Sequence, residues 1–470
     1  MKSSRTFACF LAGAAPLALV AGCSSSGNGT PPNLVDGSVQ DAYVPPADAG
    51  GGNDTGTGAE AAMVDGGFTL PANPAPDQSW LSTPGQLVLT ASGESLALNG
   101  YAFPAANSGD PVFADGWEIH FSHFIATFDK VSLWNNPEAN PVTDQSQHGS
   151  LVAELDGPWA VDMSQNGASW PYIDGKEAGE RAVAFAVIPN ENKNNGAPFP
   201  TDGTRLAVGF SSVIATPSAL NVNLGPEGLG YYQEMIAKGC VALYVGQATW
   251  KGDQGLCSGT PSDAGAGGTG LEAEFARIPK TVSFDLCFKP RAGSLEAGDV
   301  ETSWINCDNQ DNAGTPVAGE PHVRGIAFKN NAAVVGEVTF HTDHPFWEST
   351  QHDTPARFDQ FAAQAAGGDG GVPTVHLEDV MGVDYTGFKD KQGNVLPWRT
   401  CDPSYQNPNG GGRTGQMHFD PVAVPHCAGG DPASGLCDYY DFSKYNQSTQ
   451  GHWNGADGLC FVKRGYPSPL

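Results

Sequence analysis

The chain lacks the short motifs that mark most catalytic chemistries. It has no G-x-S-x-G, no Walker A loop and no H-E-x-x-H. A nucleophile elbow, a P-loop and a zincin helix are therefore absent as local features, and only a triad dispersed along the chain would leave no such mark. There is no C-x-x-C, which argues against thiolate zinc and dithiol redox chemistry, and no C-x-x-C-H, which excludes c-type haem attachment. Bases are scarce: 23 Lys and Arg stand against 51 Asp and Glu, for a formal charge of −28. A chain this acidic repels nucleic acid and anionic lipid headgroups and favours cations. Past the N-terminus no apolar run is long enough to cross a bilayer. Helical periodicity is also scarce before Pro355.

The first residues read as an export signal. Lys2 and Arg5 form a basic start, Phe7 to Val20 is mostly apolar, and the run ends in Leu19-Val20-Ala21-Gly22-Cys23. This ending resembles the bacterial lipobox. The resemblance covers residues 1–23 and implies cleavage before Cys23, lipidation of its thiol and anchoring to a membrane through that lipid. Ser24, in place of an inner-membrane retention aspartate, implies the outer membrane, with the body facing the periplasm or the cell surface. Residues 23–75 are rich in Gly, Pro, Ala, Ser, Thr and Asp, which cannot bury enough surface to offset ordering entropy, so a disordered tether is expected. Discounting Lys2, Arg5 and the six tether acids leaves a body of about −24.

Eight cysteines remain beyond Cys9 and Cys23: Cys240, Cys257, Cys287, Cys307, Cys401, Cys427, Cys437 and Cys460. An even count in an exported chain predicts disulfides. They fall into two groups of four, and pairing within each group is expected.

The body reads as mainly β, an antiparallel β-sandwich with long loops over residues 76–341, followed by a loop-rich, His-rich and disulfide-linked C-terminal region over 342–470 with short helices. Gln86 to Gly100 is expected to form a hairpin. Short Val- and Phe-rich runs follow, separated by Gly, Pro, Asn and Asp. The strongest strand is Trp117 to Trp134. Its apolar phase slips between Phe121 and Phe124, so a bulge near Ser122 is needed to keep both sets on the core side. That bulge places His120 and His123 together on the other face. A second slip at Asp129-Lys130 restores register. Helices are expected at Tyr231–Lys238, Thr354–Ala366 and Tyr439–Ser448.

The stretch His341 to Asp359 holds three of the eleven histidines within twelve positions, interleaved with acids. Imidazole and carboxylate are the usual ligands of zinc, copper and non-haem iron. The strand expected over Ala333 to Thr342 carries His341 near its end; Asp343 and His344 follow before Pro345, and His352 lies just before a helix start. If the two H-x-x-H strands are neighbours, His120, His123, His341 and His344 converge on one transition-metal ion, with Asp343 or His352 completing the set. Nitrogen-rich ligation points to copper or zinc. The expected function is that of a metal-binding lipoprotein rather than an enzyme.

Two other classes compete. His341-Thr342-Asp343 resembles the H-x-D of non-haem iron(II) oxygenases, a jelly-roll family; the resemblance implies a distal histidine, for which His376, His418 and His426 are available. A metal-dependent hydrolase is the other enzymatic form. Ten tryptophans, among them Trp347 and Trp453 beside histidines, suit a carbohydrate-binding or structural surface module instead. Gly265 to Gly270 matches G-x-G-x-x-G but follows no strand, and Asp308 to Asn312 is oxygen-rich without EF-hand spacing. His376-Leu377-Glu378-Asp379 is a second polar patch.

Overall fold

The computed structural model describes residues 67–464, except 75–78, 108, 141–145, 166–171, 177–179, 254–256, 260–274, 291–299, 317–319, 351–353, 367–370, 386, 397–398, 403–425, 428–434 and 456–457. Cys23 and the tether lie outside the described residues, as do His352 and His418.

In chain order a short helix, α1 (Ser79–Ser82), leads into β1 (Leu87–Ser92) and α2 (Glu94–Asn99). Then come β2 (Trp117–Trp134), β3 (Leu151–Leu155), β4 (Trp159–Asp162), β5 (Tyr172–Asp174), β6 (Arg181–Ile188), β7 (Arg205–Val213) and β8 (Leu220–Asn221). Helix α3 (Pro226–Lys238) separates these from β9 (Ala242–Trp250), β10 (Ser258–Gly259), β11 (Thr281–Phe288), β12 (Val300–Ile305), β13 (Asp308–Asn309), β14 (Val323–Arg324), β15 (Ile326–Ala327) and β16 (Val334–Phe340). The last strands are β17 (Thr374–His376), β18 (Arg399–Thr400), β19 (Gly451–Trp453) and β20 (Phe461–Arg464).

The fold is mainly β, as expected, with mixed rather than purely antiparallel sheets. A five-stranded sheet runs β19-β16-β1-β6-β5, and an eleven-stranded sheet has β17-β11-β9-β2-β7-β12-β20 as its spine. The β1–β16 and β11–β17 pairs are parallel. The two sheets face each other across an aromatic core. Phe340 of the smaller sheet meets Phe124, Phe128, Phe210 and Trp304 of the larger, at ring-centroid distances of 6.3, 6.2, 5.8 and 5.5 Å. Burying one such ring contributes about 1.5–3 kcal/mol. A second apolar cluster lies beneath α3, where Tyr232 and Met235 cover Ile125, Leu243 and Val245. Pro226 starts α3 and Gly239, in the left-handed conformation at φ 75°, ends it.

The β2 register behaves as its apolar phase requires. The pairing of β2 with β9 skips Ser122, and its pairing with β7 slips between Asp129 and Ser132, where Lys130 adopts φ 53°. The helix Tyr439–Gln447 forms with Asp438 as its N-cap, the carboxylate accepting from the Asp441 amide.

Three expectations are corrected. The Gln86–Gly100 segment is not a hairpin: β1 is an interior strand between β16 and β6, so its edges are already taken, and Leu96-Ala97-Leu98 falls in α2. The helix after Pro355 is only Asp359–Ala362, because the preceding residues are drawn out to pair: Ala356 bridges both Phe113 and Trp347. The disulfides do not stay within their groups. Cys240–Cys287 and Cys427–Cys437 do, but Cys257–Cys401 and Cys307–Cys460 join the two. The reason is topological: strands after Thr342 complete sheets begun earlier. β17 extends β11, β18 pairs β10, β19 pairs β16 and β20 pairs β12. The four bridges fit a non-reducing, extracytoplasmic location. Among the described residues no helix is long and apolar enough to cross a membrane.

Candidate metal centre

β16 alternates Val338 and Phe340 into the core with Thr339 and His341 on the opposite face. The strand ends at Phe340. The chain then turns: Thr342 bonds the Tyr101 hydroxyl at 2.8 Å, and the 3-10 turn His344–Phe346 is set by Pro345. β19 brings in a residue from far along the chain. Its His452 registers opposite Thr339, so its ring falls beside that of His341.

Three imidazoles converge here. His341, His344 and His452 each offer a ring nitrogen, and these atoms all lie within 4.8 Å of one another. The His341 and His452 rings stack at 4.0 Å and 6°, while His344 stands edge-on to both, at 5.0 and 5.6 Å. His344 and His452 are buried, and His341 is nearly so.

The surroundings orient these rings. Thr449 donates its hydroxyl proton to the Asn446 carbonyl at 2.7 Å, so its oxygen accepts from His344 Nδ1, also at 2.7 Å. His344 then carries its proton on Nδ1 and its lone pair on Nε2. Trp347 packs against the same ring, tilted by 31° at a centroid distance of 3.6 Å. His341 Nε2 lies 2.8 Å from Glu94 Oε1. Glu94 is buried and placed by a backbone at φ 61°, its amide bonded to Ser92 Oγ at 2.7 Å.

A row of acid continues from there over the outer face of the small sheet. The Ser92 hydroxyl donates to Glu180, and Glu180 in turn meets Glu337. Burial first, and then the Glu180 charge, hold the Glu337 carboxyl well above the usual range. Burial and the neighbouring carboxylate act together to disfavour the charged form of Glu337.

The donor set suits a borderline transition ion. Ligand nitrogens bonded at about 2.0–2.1 Å would sit ~3.4 Å apart in a tetrahedron, a small closure from the arrangement described. Three buried imidazolium rings this close would repel, so the cluster is adapted to neutral rings.

The four-histidine grouping does not assemble. His341 and His344 are brought together, but β2 lies in the opposing sheet rather than beside β16. Phe124 points inward to Phe340, so by strand alternation His120 and His123 project from the far side of the sandwich. The His120 side chain is 60% exposed and meets Glu118 at 3.4 Å. Asp343 turns to Trp347, accepting its indole N–H at 3.1 Å, and does not join the trio. His452 was missed because no motif carries it; only the β16–β19 register brings it in. The polar patch at His376 is a helix cap: His376 N–H donates to Asp379 Oδ2 at 2.8 Å, and Glu378 pairs with Lys289 at 2.5 Å.

His123 instead has its own partners. Asp162 Oδ2 lies 2.6 Å from Nδ1, and Glu227 Oε2 lies 3.7 Å from Nε2. Burial would lower the imidazole's affinity for a proton, but the hydrogen bond and charge of Asp162, with Glu227, outweigh it and hold its pKa above the ordinary value.

Comparison with family models, with curated proteins and with solved structures finds no match to this chain.

Proposed function

We propose that this is an extracytoplasmic, lipid-anchored protein that binds one transition-metal ion, copper or zinc, through His341, His344 and His452. The observation that carries the reading is the convergence of three buried ring nitrogens drawn from a strand end, a 3-10 turn and a distant strand. Ligation by nitrogen alone favours copper or zinc over magnesium or calcium. Burial of the trio supports tight retention over turnover, and this places a binding protein ahead of a metal-dependent enzyme. The lipobox at Cys23 supports anchoring, and the four bridges support an oxidising compartment.

Elemental analysis of untagged protein tests the reading, with one bound copper or zinc expected per chain. His344→Ala or His452→Ala should lower affinity at least 100-fold, and His120→Ala should leave it unchanged. Protein that takes up neither ion, or a His344→Ala/His452→Ala chain that binds as well as the native one, would sink it. In the same preparations Cys23→Ser should leave the membrane fraction; membrane retention of that variant refutes the anchor.

A further inference from the structure

A second cluster of polar side chains lies on the outer face of the larger sheet, away from the histidine trio. β4 delivers Asp162, which is fully buried. Its Oδ1 accepts from the Phe124 amide at 3.2 Å, from the Ser164 amide at 3.1 Å and from the Ser164 hydroxyl at 2.8 Å. Its Oδ2 is given to His123 Nδ1. With Oδ1 taken by these three donors, Oδ2 is left to accept from His123 Nδ1–H, which holds the ring in one orientation. Tyr231 of α3 flanks the ring at 4.9 Å.

The other edge of the ring borders an open cavity of about 600 Å³, lined by His123, Gln165, the Asn221–Gly225 loop and the first turn of α3. The amides around it are already used. Asn221 and Asn223 bond the backbone at Leu224 and Asp162, and Asn73 bonds the Phe185 carbonyl. The chemistry that faces the cavity is therefore the imidazole and the Glu227 carboxylate, whose side chain is 68% exposed.

The His123–Glu227 separation of 3.7 Å is too long for a hydrogen bond. It is within the span of one ion: two ligand atoms each about 2.0–2.2 Å from a metal lie at most ~4.4 Å apart. We propose that His123 Nε2, its proton displaced to solvent by the cation, and Glu227 form a second, exchangeable binding site for a divalent transition cation, with Asp162 as the orienting carboxylate and cavity water filling the remaining positions. Buried nitrogen ligands suit retention at the trihistidine centre. A two-ligand site open to a cavity suits fast uptake and release, and leaves coordination positions free for a small anionic ligand.

Titration of the untagged protein with Zn²⁺, followed by calorimetry, tests this. The native chain should show two classes of site, the weaker one assigned to His123. Glu227→Gln changes an exposed side chain and should remove or weaken the second class at least tenfold without altering the first. Asp162→Asn should weaken the second class by about 10–100-fold, as loss of an orienting carboxylate does. In His452→Ala protein the second class should persist alone, which separates this proposal from the trihistidine reading. A single class in the native protein, or Glu227→Gln and His123→Gln isotherms that superimpose on it, would overturn the proposal and leave His123 as an ion-paired structural residue.

Discussion

Asp115 shows how a single buried acid can organise a region. It is fully buried, and its Oδ2 accepts the amides of Phe358 and Asp359, each at 2.8 Å. Asp359 in turn takes Arg399 through both oxygens, at 2.9 and 2.5 Å, and the Trp117 indole at 2.8 Å. Burial, then the Asp359 charge, pushes the Asp115 carboxyl up to about 7, against the pull of Arg357 and Arg399. The folded state therefore binds this proton more tightly than the unfolded chain does. Its contribution is complete below about pH 4 and is lost as pH rises through 7. Asp115→Asn keeps an acceptor for the two amides and removes the titration. Urea unfolding of that variant should show a flatter stability profile between pH 4.5 and 7.5, by on the order of 1–4 kcal/mol. An unchanged slope would assign the pH dependence elsewhere.

At the scale of the element, β2 was the most legible part of the chain. Its two phase slips could be read from where Phe121, Phe124, Val131 and Leu133 fall, because a one-residue slip would turn a run of aromatic side chains out of the core. The bulge at Ser122 also constrains its partner strand. Gly246 sits opposite Phe121, and a Cβ there would overlap the His120 carbonyl and the Phe284 ring. Gly246→Ala should therefore destabilise the protein by about 1–3 kcal/mol through overpacking. The midpoint of chemical unfolding reports it; a midpoint equal to the native value would show that the sheet can yield there. The hairpin expected at Gln86 to Gly100 failed for the complementary reason. A local turn signal at Ser92-Gly93 says that the chain bends, but it cannot say whether β1 is an edge or an interior strand.

Taken whole, the molecule is tied along its length rather than in two halves. Cys257–Cys401 and Cys307–Cys460 span 144 and 153 residues and fasten the last strands to sheets built much earlier. Closing long loops restricts the unfolded chain strongly, and loss of one such bridge should cost about 2–5 kcal/mol. Replacing Cys257 and Cys401 together by serine should lower the unfolding free energy by that amount. Peptide mapping without reduction should recover the four pairs described; a Cys401–Cys460 or Cys257–Cys307 peptide would contradict the topology.

The amino-acid pattern alone was sufficient for the β-rich class, for the strand Trp117–Trp134, and for the closeness of His341 to His344. Each of these rests on local spacing, which a linear chain carries directly. The third histidine, the separation of His123 from that pair and the crossing disulfides rest on which strands become neighbours. That choice is made by the packing of two sheets around Phe340 and by the late insertion of β19 beside β16. Such contacts join residues more than a hundred positions apart, and no local period or spacing records them.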